Sequence, residues 1–157
     1  MAKVVLGLQS ETHEPPPLEA LVVALSGRSL LVSVLMETEP EFDLDRPGKD
    51  SYRHRQAGAN EVMVSSTHRW TLLHERREGG QALSLSDIAD RSSADILLVV
   101  GFKDWPIDRI CLLDSGQAAG KSVALLAHDK NESSAEVSDL GALVDFLVER
   151  YSLSNDV

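Results

Sequence analysis

The residues best suited to chemistry lie in one stretch of this 157-residue chain, DLDRPGKDSYRHRQAGANEVMVSSTHRWTLLHE, residues 43 to 75. Arg46, Lys49, Arg53, His54 and Arg55 form a basic island in a chain whose net charge is −10. Pro47-Gly48 sets a tight turn, and Asp50 or Ser51 is placed to cap a short helix that runs to about Ala57 and ends at Gly58. Lys49 then stands beside a helix N-terminus, where unpaired backbone N–H groups and the helix dipole favour an anion. Lys49, Asp50, Ser51, Arg53 and Arg55 are therefore the first candidates to contact a phosphate-bearing ligand, the cations through charge-assisted hydrogen bonds. A solvated basic helix face is the plain alternative.

A second stretch stands where nucleotide chemistry would be expected and lacks the parts for it. A working phosphate loop reads GxxxxGK followed by Ser or Thr. The segment GLQSETHEPPPLEAL, beginning at Gly7, has no second glycine, no lysine and no hydroxyl at the magnesium position. Pro15, Pro16 and Pro17 lack the N–H donors that would wrap phosphates, and Glu11 and Glu14 add negative charge. Without the lysine nothing neutralises the outer phosphates. The stretch reads as an ordinary strand–helix connection with Pro near the helix start. GTP and magnesium are expected to bind weakly or not at all, and GTP hydrolysis to be lost; no catalytic residue is assigned.

The other reactive side chains are weaker candidates. Of the five histidines, only His68 and His74 share a predicted helix, and they are off-face, so a metal site is not expected. Cys111 sits among apolar neighbours and reads as a buried small residue rather than a nucleophile. Lys103 and Trp105 follow the most apolar strand, and open α/β sheets bind ligands beyond the carboxyl ends of their strands. Trp105 reads equally well as a loop anchor.

The elements that must position these residues follow from the apolar pattern. Strands are predicted at 4–8, 30–35, 61–66, 94–100, 109–113 and 122–127. A helix carrying Leu18, Leu21, Val22 and Leu25 is closed by Gly27. Another is predicted through 68–77, capped by Ser66 or Thr67, with Trp70 and Leu73 inward. A short one starts at Ser84 or Ser86. The last carries Leu140, Leu143, Val144, Leu147 and Val148 as one stripe, after a loop at 130–139. Continuously apolar strands alternating with helices predict an α/β fold with a mostly parallel sheet and helices on both faces.

Bulk properties bound the rest. With 25 acidic against 15 basic residues, neither nucleic acid nor an anionic membrane is an expected partner. No apolar run approaches the roughly 18 residues that span a bilayer. The N-terminus MAKVVLGL reads as a first strand rather than a signal peptide. One cysteine excludes an internal disulfide, and a reduced cytoplasmic setting is expected. Length predicts one domain over residues 1–153 with a short tail at 154–157.

The 43–75 stretch resembles the signature of the MobB family, the molybdopterin-guanine dinucleotide biosynthesis protein B. The family pattern D-x-D-x-P-G-K-D-S-x-R-H-R-x-A-G-A is carried here by Asp43, Asp45, Pro47, Gly48, Lys49, Asp50, Ser51, Arg53, His54, Arg55, Ala57, Gly58 and Ala59. A strand ending in Ser65-Ser66 and then Arg69-Trp70 follow, as in the family. The match resumes in DILLVVGFKDWPI, where Gly101, Phe102, Lys103 and Pro106 are retained. The resemblance implies a P-loop-NTPase-like fold, a dimer, and a nucleotide-binding protein that assists the enzyme joining a guanine nucleotide to molybdopterin.

The departures are as specific as the match. The family's K-H-x-H-H cluster stands here as Met36, Glu37, Thr38, Glu39, Pro40. The Glu of its V-E-G-F-K is Val100, which can neither polarise a water nor hold a magnesium shell. Its A-S-D or A-T-D near the base pocket is Ala127, His128, Asp129, so that only Asp129 survives as a candidate there. Loss confined to the triphosphate chemistry implies an accessory protein that acts by binding. The 43–70 segment would make the dimer contact, or hold a molybdopterin-type cofactor, a nucleotidyltransferase or a molybdoenzyme. Two alternatives stay open: a functional GTP binder with a non-standard or dimer-completed site, and a structural or regulatory partner of a molybdoenzyme.

Overall fold

The structure is a computed structural model that describes residues 2–10, 18–39, 42–76, 84–113, 122–126, 135–137 and 139–153. In chain order the elements are β1 (Val4–Ser10), α1 (Leu18–Ser26), β2 (Val32–Met36), α2 (Asp50–Gln56), β3 (Glu61–Ser65), β4 (Trp70–His74), α3 (Leu85–Arg91), β5 (Ile96–Val100), β6 (Arg109–Leu113), β7 (Ser122–Leu126), β8 (Ala135–Val137) and α4 (Leu140–Arg150). They fall into two compact units: Met1–Glu37 together with Ser84–Val157, and Thr38–Leu83.

The first unit is a six-stranded sheet in the order β2-β5-β1-β6-β7-β8. The pairs β2–β5, β5–β1 and β1–β6 are parallel; β6–β7 and β7–β8 are antiparallel. The mostly parallel sheet is thus observed. Its most apolar strand, ILLVV, pairs on both edges and is covered on both faces, which is why no polar residue interrupts it. On one face Leu6, Ile96, Leu98 and Ile110 pack with Leu21 and Leu25 of α1 and Leu143, Val144 and Leu147 of α4. On the other, Leu97 and Val99 pack with Ala2, Ile107 and, from α3, Leu85 and Ile88. Helices therefore lie on both faces, and the α4 stripe is the one expected.

Local signals set the helix starts. Ser84 Oγ accepts from the Asp87 N–H while the Asp87 carboxylate accepts from the Ser84 N–H, a reciprocal capping box. Asp139 accepts from the Ala142 N–H at 2.8 Å and caps α4. After α1 the left-handed residue is Ser29 (φ 61°) rather than Gly27. Strand β8 was expected to be loop; its three residues are too few for an alternation to register, and its pairing with β7 defines it. Gly7, expected to open the first loop, lies mid-strand in β1, opposite Val99 and Arg109. The loop at 11–17 lies outside the described residues, as does Asp129.

The second unit corrects one expected element. Residues 70–74 form a strand, not part of a helix: β3 and β4 make a separate antiparallel pair with Ser65 opposite Trp70 and Glu61 opposite His74. Ser66, expected to cap the helix, instead closes the turn. Its N–H donates to the Arg69 carbonyl at 2.8 Å and its Oγ accepts from the Arg69 N–H at 3.3 Å. WTLLH satisfies a two-residue period as well as a helical one, and Trp and Thr favour strands; the turn and the pairing strand decide. Trp70, expected inward, is 66% exposed.

Helix α2 also starts differently from expectation. Its N-cap is Lys49, in extended conformation and without a side-chain cap bond, so Asp50 is the first helical residue rather than the cap. The end is as expected. Gly58 takes φ +103°, its N–H donates to the Arg55 carbonyl, and the Ala59 N–H donates to the His54 carbonyl. This two-bond closure needs a left-handed residue, which glycine adopts without strain.

Candidate functional site

The 43–75 signature of the second unit folds into a knot of charges. Arg55 is only 9% exposed in its side chain and is surrounded by three carboxylates. Its Nη2 donates to Asp43 Oδ2 at 2.7 Å, its Nε to Asp45 Oδ2 at 3.2 Å, and its Nη1 to Glu75 Oε1. Ser51 Oγ donates to Asp45 Oδ1 at 2.9 Å, and the Asp45 N–H donates to Asp43 Oδ1. The Tyr52 ring lies 5.6 Å from the guanidinium carbon, within cation–π range. The spacing of Asp43, Asp45, Ser51 and Arg55 thus places loop, helix start and helix end around one cation, and Glu75 closes the ring from the end of β4.

The electrostatics follow from that geometry. The hydrogen bond from Arg55, reinforced by the Asp45 N–H, holds the Asp43 carboxyl below its ordinary 3.8. Burial pushes the Asp45 carboxyl up, but Ser51, the Arg46 N–H and Arg55 together outweigh it, and the net direction is down. Asp43 and then Glu75 raise Arg55 further above its already high value, so it stays protonated.

Of the residues expected to contact an anion, the structure brings Lys49, Asp50, Ser51, Arg53 and Arg55 onto or beside α2. Two of them are turned inward to other partners: Ser51 to Asp45, and Arg55 to its three carboxylates. Arg53 pairs with Asp50 one turn earlier, both largely exposed, an arrangement of small energetic weight. Lys49 is exposed. Glu75 was missed by sequence reasoning; nothing local marks a Glu beyond a strand as the partner of an arginine twenty positions earlier.

Lys103 and Trp105 belong to the first unit, at the carboxyl end of β5. There the chain turns through Gly101 (φ +91°) and Phe102 (φ +47°). Glu37, directly after β2, donates its N–H to the Val100 carbonyl at 2.9 Å, and its Oε2 accepts from the Phe102 N–H at 2.8 Å. A Cβ on Gly101 would lie 2.5 Å from Glu37 Cβ, so glycine is required both for the dihedral and for this approach. Phe102 stacks on Trp105 with ring centroids 4.2 Å apart. Arg109 reaches across Gly7 and donates to the Phe102 carbonyl at 2.7 Å and the Trp105 carbonyl at 3.3 Å. Trp105 therefore anchors the loop, and Lys103 is exposed on it.

A mostly parallel sheet covered by helices on both faces defines the first unit as an α/β fold. The sequence profile of Molybdopterin guanine dinucleotide synthesis protein B matches residues 10–139, and the chain belongs to this family, MobB. It is 33% identical over 156 residues to the molybdopterin-guanine dinucleotide biosynthesis adapter protein of Escherichia coli (strain K12), covering 89% of this chain and 87% of that one. It is 35% identical over 95 residues to the adapter protein of Haemophilus influenzae, covering 60% of this chain and 53% of that one. A solved structure of molybdopterin-guanine biosynthesis protein B superimposes with a TM-score of 0.60 over 94% of this chain and 99% of its own, at 15% identity. Bacillus subtilis MobB does so with a TM-score of 0.55 over 71% and 68%, at 21% identity. At such identities these likenesses speak for the fold.

Proposed function

We propose that this chain is an adapter in molybdopterin guanine dinucleotide biosynthesis that acts by binding, with the phosphate site of its family degraded. Its relatives carry the adapter name, and one observation carries the degraded site. At the carboxyl end of β5, where a magnesium-holding carboxylate would stand, there is Val100, and beside it the Glu37 carboxylate is spent on a backbone N–H. A negative charge engaged in shaping the loop does not suit a triphosphate. The residues present do not fit a GTP–magnesium complex.

The binding surface in this reading is the second unit. Lys49 and Arg53, with Asp50 and Ser51 beside them, face a phosphate-bearing partner or cofactor, and Arg55 holds the loop and helix that carry them in place. A homodimer belongs to the same reading. Met63 and Trp70 stand on one face of the β3–β4 pair, both exposed, and a lone hairpin of two strands has little stability by itself. The nucleotidyltransferase that attaches the guanine nucleotide is the proposed partner. Co-purification of the two proteins with and without GTP and magnesium tests this. Association that needs no nucleotide, and that weakens in a Lys49→Ala, Arg53→Ala double variant, is the expected outcome. Micromolar GTP–magnesium binding by calorimetry would contradict it.

A further inference from the structure

The loop from Gly101 to Asp108, between β5 and β6, is tied down unevenly. From the Phe102 carbonyl onward it is well held. Arg109 donates to the Phe102 and Trp105 carbonyls at 2.7 and 3.3 Å, the Ile107 N–H donates to the Trp105 carbonyl at 2.9 Å, and the Tyr151 hydroxyl donates to Asp108 Oδ2 at 2.6 Å. Ile107 is buried, and the Phe102 and Trp105 rings pack on the cluster it forms with Leu97 and Val99. The entrance to the loop is held differently. There the chain turns through Gly101 (φ +91°) and Phe102 (φ +47°), and the Phe102 N–H donates to the exposed Glu37 carboxylate at 2.8 Å. We propose that Glu37 is a latch on this loop: its carboxylate keeps Phe102 in the left-handed region, and loss of that contact lets the loop rearrange about Gly101 while the sheet stays folded.

The balance of forces makes this contact the one that gives first. A bulky aromatic residue seldom takes a positive φ, because its Cβ crowds the neighbouring carbonyl. Such strain persists only where the surroundings enforce it, and it gathers at clamps and switch segments. Gly101 resists no rotation of this kind, since glycine moves freely between positive and negative φ, and so it serves as the pivot. The bond that enforces the turn is charge-assisted, stronger than a neutral one, yet open to water. Strain and bond are of similar size, so the closed loop is favoured by a narrow margin. The Glu37 backbone stays fixed, its N–H donating to the Val100 carbonyl at 2.9 Å, so the side chain can let go without disturbing β2 or β5. Reach matters as much as charge: a Cβ on Gly101 would lie 2.6 Å from Glu37 Oε2, so the carboxylate sits directly against the pivot. Opening bares the Phe102 N–H beside the exposed Lys103, at the carboxyl end of a parallel strand, where open α/β sheets take their ligands.

Limited trypsin digestion of the full chain tests the latch, with the cut after Lys103 followed by mass spectrometry and the sheet followed by amide exchange in β1 and β5. Cleavage of a folded chain reports local opening. Glu37→Ala should speed that cut about tenfold or more, the factor expected for losing a hydrogen bond to a charged group, while β1 and β5 keep wild-type protection. Glu37→Gln retains the length and an acceptor oxygen, and should fall much closer to wild type than to the alanine variant. Glu37→Asp retains the charge but is one methylene short, and should behave like alanine. Trp105 fluorescence, read in a Trp70→Phe background, should change in the same order through its stacking on Phe102. An unchanged cut in Glu37→Ala, a Gln variant as fast as the alanine one, an Asp variant that matches wild type, or faster exchange in β1 and β5 overturns the proposal. Association with the nucleotidyltransferase is measured separately, so the latch and the adapter reading fail independently.

Discussion

The sheet unit and the hairpin unit are held by different forces. Residues such as Leu6, Ile96 and Leu98 on one face of the sheet and Val99 on the other are fully buried in the first. In the second, no hydrophobic side chain among the described residues is buried, and Phe42, Leu44, Met63, Val64 and Trp70 are exposed. Order there comes from one cation and three carboxylates. Apolar burial is nearly indifferent to pH. An ion-pair knot is not, and breaking it leaves uncompensated charges. The unit that carries the 43–75 signature is thus the one without a buried apolar core among its described residues.

Acid should separate the two units most sharply. Asp43 and Asp45 have carboxyl values lowered by folding, so they stabilise the knot above the ordinary 3.8 and lose that contribution as the pH falls through their lowered values. Amide exchange followed from neutral pH into acid should show 42–76 losing protection before β1 and β5. Asp95 is likewise lowered by Lys3 and by the Leu31 N–H, but it is a single anchor beneath a large core. Next in size is Leu98→Ala, which should cost about 2–5 kcal/mol in denaturant unfolding of the sheet. Gly101→Ala should cost about 1–3 kcal/mol, since it forces a strained dihedral and drives a Cβ into Glu37. Smallest is Met63→Ala, a change within about 0.5 kcal/mol for an exposed side chain. A larger loss there, rising with protein concentration, would show the hairpin face to be buried between copies.

The same contrast decides what was legible in the sequence. Strand β5 and the α4 stripe were readable because hydrophobic periodicity reports burial, and these elements are buried. Residues 70–74 were not, because WTLLH fits both periods and its state is set by the Ser66–Arg69 turn and by β3. Arg55 was recognisable as part of a signature, but a sequence displays a cation without displaying what surrounds it. Two of its partners are ten and twelve positions away, and Glu75 is twenty away on another element. Glu37 was visible as a departure from the family pattern, while its contact with the Phe102 N–H, 65 positions on, was not.

Replacing Arg55 by leucine and following amide exchange in both units at neutral pH tests most directly whether charge replaces a core in the second. Residues 42–76 should lose their protection while β1, β5 and α4 keep theirs. Unchanged protection across 42–76, or its collapse together with the sheet, would contradict the account.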